Sequence, residues 1–425
     1  MRPRPCLSAE SVAELVRGNG TEEDQLHSIE CATCARRVSL LRRIHSAGPG
    51  PVAGAVDEVE VVVARLLATP RRNWWRAVKE LEYRRPEVVR RLLRLGVDAR
   101  LRDLGLAVDL AKAATAIGEL LANRVPDVAD LRFETWKFSS AVLREAGRYA
   151  ETEAALARAN EAAQATSDPE LSQASVLLAR ALLCAEPDIW RPHDAAALLD
   201  QAEIAFSRRD PGRMLGLLTA RGFLLFRAGA MAAARDIFKV VLEQTPESDR
   251  EGYLNALNNF VAPRVELRDS AADVERAISL LVEENVALGR GAQVARARWL
   301  MGRVHLIRGD FDAAVYPFRT AMATIGDSDS SIRFGLDTIE ALLLGSRHHE
   351  AFELARELAT AAVALEQREP SRRHGLTAQV FAYLREAAQR QVLTADLVAD
   401  VARYLDRITR QRPVAFVPPM PLVDM

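Results

Sequence analysis

The sequence lacks several features that would point to particular classes of protein. No segment approaches the run of about 18 uncharged apolar residues that a membrane span needs. The N-terminal MRPRPCLSAESV also lacks the apolar core of a signal peptide. The formal net charge is −1 although 27% of the residues are charged, so overall charge does not indicate a nucleic acid as a partner. We therefore expect a cytoplasmic protein.

Common catalytic motifs are missing as well. There is no G-x-x-x-x-G-K-[ST], no G-x-S-x-G and no H-E-x-x-H. The stretch Leu288–Gly291 lacks the third glycine of a dinucleotide fingerprint. His348–Glu350 contains the H-x-E of zinc deaminases, but no P-C-x-x-C follows it. We expect a binding protein and no enzymatic activity.

Cysteine is scarce, and its distribution is informative. Three of the four cysteines lie in the first 34 residues, where Cys6, His27, Cys31 and Cys34 form a candidate metal site around the run HSIECATC. Thiolates and an imidazole at these spacings suit tetrahedral zinc. In a reducing compartment, clustered cysteines are more often zinc ligands or redox sensors than disulfides. The cofactor we expect is therefore Zn²⁺.

Local helix signals predict how these ligands meet. Thr21 is a candidate N-cap followed by acidic residues, and ligands four and three residues apart lie on one side of a helix. A first helix from about residue 9 to 17 would let Cys6 complete the site from across a hairpin. About 45 residues cannot build much of a core, so a metal would stabilise the module. The alternatives are that the side chains bind no metal, that the zinc is purely structural, or that the thiols form a switch.

A Cys or His well ahead of H-x-x-x-C-x-x-C, on a small helical hairpin, resembles the zinc-binding anti-sigma domain over about residues 5–46. The resemblance implies a domain that holds an extracytoplasmic-function-type sigma factor inactive, in some members until the zinc thiols are oxidised. Two departures stand out. The segment from Thr21 to His27 is about one helical turn shorter than is usual, which preserves helical phase. The transmembrane helix that follows in many members is absent.

Composition divides the chain further. Gly48–Pro51 marks a linker over residues 47–57, between a zinc module at 1–46 and a basic helical segment at 58–125. Residues 71–102 carry eleven basic and four acidic residues, a local balance of +7. With Trp74, Trp75 and Tyr83 they could contact nucleic acid or an acidic protein surface. The favoured interpretation is a solvated outer face around a core stripe of Val88, Leu92, Leu93 and Leu95.

Residues 126–411 contain internal repeats. Gly222, Gly229, Ala234 and Phe238 recur with identical spacing as Gly302, Gly309, Ala314 and Phe318. A weaker third copy contains Trp136, Gly147, Tyr149, Leu156 and Ala159. These positions resemble the tetratricopeptide repeat, in which small residues let two helices approach and glycine forms the turn.

The spacing of the turn glycines predicts additional, degenerate hairpins. Gly147, Gly229 and Gly309 are 82 and 80 residues apart, about twice the length of a long helical-hairpin repeat. Intervening turns are expected at 186–188, at 268–270 and near Ser346, with a last helix pair over 372–410. Cys184 should be a buried thiol. In the extended Pro-rich tail, 412–425, Phe416, Val417 and Pro418 should pack on the last hairpin or bind a partner.

The predicted fold is therefore all-α, with a small zinc-binding helical hairpin domain followed by a right-handed tetratricopeptide-like α-solenoid of about seven hairpins. The concave surface of such an array binds proteins, and we single out no residue there. We expect a regulatory adaptor that modulates transcription, binding a sigma factor through the zinc module and a second protein through the repeats. The alternative is an interaction scaffold whose zinc is only structural, and a third option is nucleic-acid contact by the basic segment.

Overall fold

The computed structural model describes twelve residues among the first 38 and four long ranges after residue 57. The early residues are Leu7, Ser11, Glu14, Leu15, Thr21, 23–25, His27, Cys31, Cys34 and Val38, and the ranges are 58–121, 127–325, 329–368 and 372–410, followed by 416–419. These residues form helices and turns and contain no strand. The predicted 47–57 linker lies outside them. The chain separates into two compact units, Met1–Ser172 and Gln173–Met425.

The first unit consists of amphipathic and largely apolar helices that short segments connect. Its helices are α1 (Glu58–Ala68), α2 (Trp74–Ala77), α3 (Pro86–Arg100), α4 (Leu104–Leu120), α5 (Val128–Glu145), α6 (Tyr149–Ala163) and the start of α7 (Pro169–Cys184). Pro86 occupies the first turn of α3, where its missing N–H costs nothing. Asp103 caps α4 by accepting a 2.8 Å hydrogen bond from the Leu106 amide. Helix α4 is apolar nearly all round and packs between α3 and α5.

The basic segment lies on the surface of this first unit, around a core stripe. Val88, Leu92 and Leu95 are buried as the stripe predicted, whereas Leu93 is half-buried. Arginines of residues 71–102 pair with carboxylates outside that range, as in Arg85–Glu58 at 2.8 Å and Arg91–Glu60 at 2.7 Å. These ion pairs offset much of the +7 counted along the sequence. The ion pairs support the interpretation that the basic residues form an ordinary solvated outer face.

The second unit consists of consecutive helix pairs. After α7 come α8 (Pro192–Arg209), α9 (Met214–Arg227), α10 (Met231–Gln244), α11 (Arg250–Glu266), α12 (Ala272–Ala287), α13 (Gly291–Arg308), α14 (Phe311–Ile325), α15 (Asp329–Leu344), α16 (His348–Arg368), α17 (Arg372–Gln389) and α18 (Ala395–Arg410). From α8 onwards each helix packs on the next, and α11, α13 and α15 also contact one another in sequence. This is the packing pattern of an α-solenoid. Its handedness stays a prediction.

The turns lie where the repeat spacing predicted them. Gly147, Gly229 and Gly309 have φ of +71°, +83° and +81°, the left-handed conformation that glycine adopts without steric cost. At the degenerate turns, Arg268 and Ser346 adopt it at +62° and +58°. All five turns share the hydrogen bond that closes a helix end, as in Ala230 N–H to Leu225 O at 2.9 Å. From α5 to α18 the described residues contain fourteen helices, the number that seven hairpins require.

Close packing explains the recurring glycine and phenylalanine. A Cβ added to Gly222 would lie 2.4 Å from the Phe238 ring, and one added to Gly302 would lie 2.5 Å from the Phe318 ring. Both phenylalanines are fully buried. The motif therefore places an aromatic ring directly against the backbone of the preceding helix.

Two further expectations concern Cys184 and the tail. Cys184 is buried at the end of α7, as expected for a small apolar side chain. The Phe416 ring packs edge-on against Tyr383 of α17 and Tyr404 of α18, with centroid distances of 5.4 and 5.0 Å. Val417 beside it is 79% exposed. Phe416 thus belongs to the core of the last pair.

Where the structure describes the chain, none of its helices combines the length and the apolar character needed to cross a lipid bilayer.

Candidate functional site

The N-terminal cluster brings three of the four predicted ligands together. The ligand atoms of His27, Cys31 and Cys34 all lie within 4.8 Å of one another. Local helix geometry places them there: Thr21 Oγ1 accepts a 3.2 Å hydrogen bond from the Asp24 amide, which is an N-cap contact. Further on, the Cys31 amide donates to His27 O at 2.9 Å, one helical turn back. The predicted spacing of four and three residues therefore does direct the side chains to one side.

The surroundings of the cluster fit a metal ion. Cys34 and His27 are buried, and Cys31 is half-buried. The Nε2 atom of His27 is buried without a hydrogen-bond partner in the described part of the chain, which ordinarily costs about 1–3 kcal/mol. The Leu7 amide donates a 3.4 Å hydrogen bond to Cys34 Sγ, which favours a thiolate. An unsatisfied imidazole nitrogen beside two thiols is the donor set of a metal site.

Cys6, the fourth predicted ligand, lies outside the described residues. Its neighbour Leu7 is described and contacts the cluster through the amide that bonds Cys34. Leu7 also packs, partly buried, on Leu15 and Val38. The role of Cys6 as a ligand stays a prediction.

A second candidate site, which sequence reasoning did not identify, lies on α11, α13 and α15. We call it the charged face, and it consists of Glu266, Arg296, Trp299, Arg303, Arg333, Asp337 and Glu340. On α13 its members are three and four residues apart, so they share one side of the helix. On α15 they are four and three apart. The helical spacing of charged residues around Trp299 was a signal in the sequence, but it did not reveal their partners.

The charged face is held by contacts between helices. Trp299 Nε1 donates to Asp337 Oδ2 at 2.5 Å. The Arg303 guanidinium lies 3.3 Å from Asp337 and 3.4 Å from Glu266, and so links α13 to both neighbouring helices. Burial lowers the pKa of Arg303, but these carboxylates outweigh it and raise that pKa overall. Arg303 is a permanently charged link in the array.

The Trp299 ring is enclosed by cations and an aromatic side chain. The guanidinium carbons of Arg303 and Arg333 lie 5.7 and 5.6 Å from its centroid, and Phe334 stacks on it at 5.4 Å. Arg333 also pairs with Asp406 at 3.0 Å. Two guanidinium groups within cation–π distance of one indole make this a chemically distinctive cluster.

Glu340 gives the charged face a dependence on pH. Burial first, and then the negative charge of Asp337, raises the pKa of Glu340, while Arg303, Arg268 and Arg403 act in the opposite direction. A carboxyl whose pKa is higher in the folded than in the unfolded state contributes stability at low pH. It loses that contribution as the pH rises through the folded-state value.

Replacing this carboxyl by a neutral amide should therefore stabilise the second unit at alkaline pH. We expect Glu340→Gln to be more stable than the wild type at about pH 8, by a margin that shrinks towards about pH 5. Chemical denaturation followed by circular dichroism at both pH values measures it. A margin that grows as the pH falls would contradict the prediction, and Glu353→Gln, on exposed surface of α16, is the control.

Comparison with solved structures gives a likeness at the level of the fold. No protein-family model matches the chain, and no curated protein sequence matches it either. Among solved structures, one that resembles it is a signal transduction ATPase with numerous domains from Pyrococcus horikoshii, which has a tetratricopeptide repeat sensor. The likeness covers 86% of this chain and 54% of that one, with a TM-score of 0.49 and 11% identity. This chain thus spans about half the length of that protein. The helical-repeat fold is assigned from the consecutive packing of this chain's own helices.

Proposed function

We propose that this protein is a regulatory adaptor, in which a zinc-containing anti-sigma-like module is coupled to a protein-binding repeat array. The observation that carries the proposal is the convergence of His27, Cys31 and Cys34 around a buried imidazole nitrogen for which the described residues supply no hydrogen-bond partner. The consecutive packing of the helix pairs supports the second part of the proposal, the protein-binding repeat array, since such arrays usually bind proteins. Catalysis forms no part of the proposal.

Zinc is the metal that best suits the donor set. Thiolates with imidazole favour Zn²⁺ in tetrahedral geometry, where its ligand atoms lie about 3.8 Å apart. His27, Cys31 and Cys34 would need to draw together only slightly from within 4.8 Å. Cys6 is the proposed fourth ligand. When bound, the metal would supply a structural cross-link between the two short helices.

The sigma-factor partner is supported by the family resemblance of residues 5–46. In this proposal the zinc hairpin covers the surface with which a sigma factor engages RNA polymerase. The repeats receive a second protein that reports the signal. The ion-paired arginines of the basic segment favour protein over nucleic acid as the partner, because few of their charges are left to meet phosphates.

Binding to sigma factors tests this proposal. We expect the purified, zinc-loaded full chain to bind at least one extracytoplasmic-function-type sigma factor of its native host, and Cys31→Ser to abolish that binding because the hairpin loses a ligand. Cys184→Ala, which removes a buried thiol far along the sequence, should bind as the wild type does. Calorimetry with each purified sigma factor is the measurement.

Two results would count against the adaptor. If the zinc-loaded protein binds none of the host's sigma factors, the module has another role. The second result combines two observations: Cys31→Ser unfolds the module while the repeats still bind their partner protein, and the wild type binds no sigma factor. The protein would then be a scaffold whose zinc is only structural.

A further inference from the structure

At one corner, the solvated face of the basic segment includes two large apolar side chains. All five tryptophans of the chain are described, and Trp75 is the only one of them that is exposed, with 56% of its surface open to water. Leu81, six residues further on, is 79% exposed. Lys79 links the two, because its ammonium lies 5.0 Å from the centroid of the Trp75 ring and it precedes Leu81 by two residues. We call this corner the Trp75 ledge, and it consists of Arg72, Trp75, Arg76, Lys79, Glu80 and Leu81.

Buried neighbours hold the Trp75 ledge in a fixed conformation. Trp74 is 4% exposed, and its Nε1 donates a 2.9 Å hydrogen bond to the Thr69 carbonyl just after α1. Val78 and Tyr83 are buried in the core of the first unit. Because these side chains are directed inwards, the backbone between them presents the ledge to solvent. A surface that is ordered before it binds loses little conformational entropy on binding.

Two cations orient the exposed indole. The Arg76 guanidinium carbon lies 4.8 Å from the centroid of the Trp75 ring, and the Lys79 ammonium lies 5.0 Å from it. Both distances are within the range of cation–π attraction. These contacts restrict the indole, and they also place two positive charges beside its apolar surface. A ligand of the ledge should therefore combine apolar groups with negative charge.

The cations of the Trp75 ledge keep their charge available, in contrast to their neighbours. Arg71 pairs with Asp103 at 3.0 Å, as other arginines of the basic segment pair with carboxylates. In the part of the chain that the structure describes, no carboxylate forms an ion pair with any of the three cations of the ledge. Glu80 is the one acidic residue of the ledge, which therefore carries a net charge of +2. Water solvates these charges, and a partner of opposite charge would be attracted to them.

The composition of the Trp75 ledge favours a protein as its partner over a nucleic acid or a membrane. A nucleic acid needs a row of unpaired cations for its phosphates, but Arg71 and Arg85, before and after the ledge along the chain, are ion-paired. A membrane surface needs more inserted apolar area than two side chains supply. Tryptophan and arginine are instead among the residues that contribute most to protein–protein interfaces. A protein segment with carboxylates around an apolar side chain matches both parts of the ledge.

We propose that the Trp75 ledge is a docking site for an acidic segment of a partner protein. The segment places an apolar side chain against Trp75 and Leu81, and its carboxylates lie against Arg72, Arg76 and Lys79. This inference goes beyond the proposed function, in which the zinc module and the repeats supply the binding surfaces. It does not depend on zinc or on a sigma factor.

Three acetylated and amidated peptides of six residues test the two requirements separately. EDLFDE carries acidic and apolar groups, QNLFNQ lacks the charges, and EDAADE lacks the large apolar side chains. The protein is the zinc-loaded full chain. Fluorescence anisotropy of the labelled peptides measures affinity in every variant. The NMR signal of the Trp75 indole N–H, assigned by its loss in Trp75→Ala, locates the binding.

Substitutions in the ledge should weaken binding without unfolding the chain. Trp75→Ala should weaken binding of EDLFDE by about tenfold or more, because a tryptophan that becomes buried is a typical anchor of such contacts. Lys79→Gln should weaken it about threefold and reduce its dependence on salt. Both side chains are exposed, so both variants should unfold within about 2 °C of the wild type. Tyr316→Ala, on α14, and Arg158→Gln, on α6, remove an exposed aromatic ring and an exposed charge as matched controls and should bind as the wild type does.

We expect EDLFDE to bind more tightly than either matched peptide, to shift the Trp75 signal, and to lose affinity with Trp75→Ala and with added salt. Equal binding of either matched peptide, unchanged binding by Trp75→Ala, or no shift of the Trp75 signal would overturn the proposal. A single-stranded oligodeoxynucleotide or phosphatidylserine vesicles that shift this signal where the peptide does not would overturn it too. The same holds for a shift caused by raising the protein concentration alone, which would indicate a second copy of the chain. Sigma-factor binding by Trp75→Ala, measured in parallel, should equal that of the wild type, so failure here and failure of the adaptor role are distinguishable.

Discussion

Replacing Cys34 by alanine should remove the bound metal and the fold of the N-terminal module, while the helices of the second unit remain folded. Cys34 is completely buried, and its Sγ accepts a hydrogen bond from the Leu7 amide, so it links the beginning of the chain to the ligand cluster. Structural zinc contributes about 10–16 kcal/mol of apparent binding free energy in small zinc domains. The small buried cluster of Leu15 and Val38 cannot replace that contribution.

Metal content and proteolysis measure this effect. The wild type should contain one zinc per chain and resist cleavage before residue 47, whereas Cys34→Ala should contain none and be cut there. Acidification should release the wild-type metal, since protons compete for thiolate and imidazole ligands. Cys184→Ala is the matched control and should retain the metal. A Cys34→Ala protein that kept one equivalent of zinc would show that the three residues are not its ligands.

Truncating Phe318 to alanine should destabilise the second unit by about 3–5 kcal/mol, the usual cost of removing a buried aromatic side chain. Phe318 is fully buried on α14, and its ring lies against Gly302 of α13 so closely that no Cβ fits between them. The resulting cavity would lie between α13 and α14, which pack on each other through many other residues. Collapse around it should therefore be limited.

Urea denaturation, followed by circular dichroism, measures the loss. Tyr316→Ala is the matched control, because Tyr316 lies on the same helix and is 75% exposed; its effect should stay within about 0.5 kcal/mol. Gly302→Ala should cost about 1–3 kcal/mol by overpacking. It should cost less in a Phe318→Leu background, because the smaller side chain vacates the space that a Cβ needs. Strict additivity of the two changes would contradict the close packing described here.

The helical repeats could be predicted from sequence because their determinants are local. Gly229 and Gly309 form turns, and the glycine and phenylalanine that pack together are 16 residues apart in both clear copies. At the degenerate turns the left-handed conformation is adopted by Arg268 and Ser346 and not by a glycine, and only the repeat phase located these turns. The clustering of His27, Cys31 and Cys34 was predictable for a similar reason, since side chains four and three residues apart lie on one side of any helix.

The charged face could not be predicted in the same way. Trp299 and Asp337 are 38 residues apart, and which acid pairs with which arginine depends on the register between helices. Arg298 and Arg303 are both arginines of α13, and the sequence does not distinguish them. Only the packing of α11 and α15 around α13 shows that Arg303 pairs with Asp337 and Glu266, whereas Arg298 contacts Thr324.

The position of Phe416 bears on how the array can be studied in isolation. A helical solenoid needs a closing element at each end, because the outermost helices would otherwise present apolar side chains to water. Phe416 covers Tyr383 and Tyr404 in this way. A fragment ending with α18 would expose both tyrosines as an apolar patch that binds proteins nonspecifically. Partner screens with the repeats should therefore retain residues 416–419, so that captured proteins report on the binding surface and not on an uncovered core.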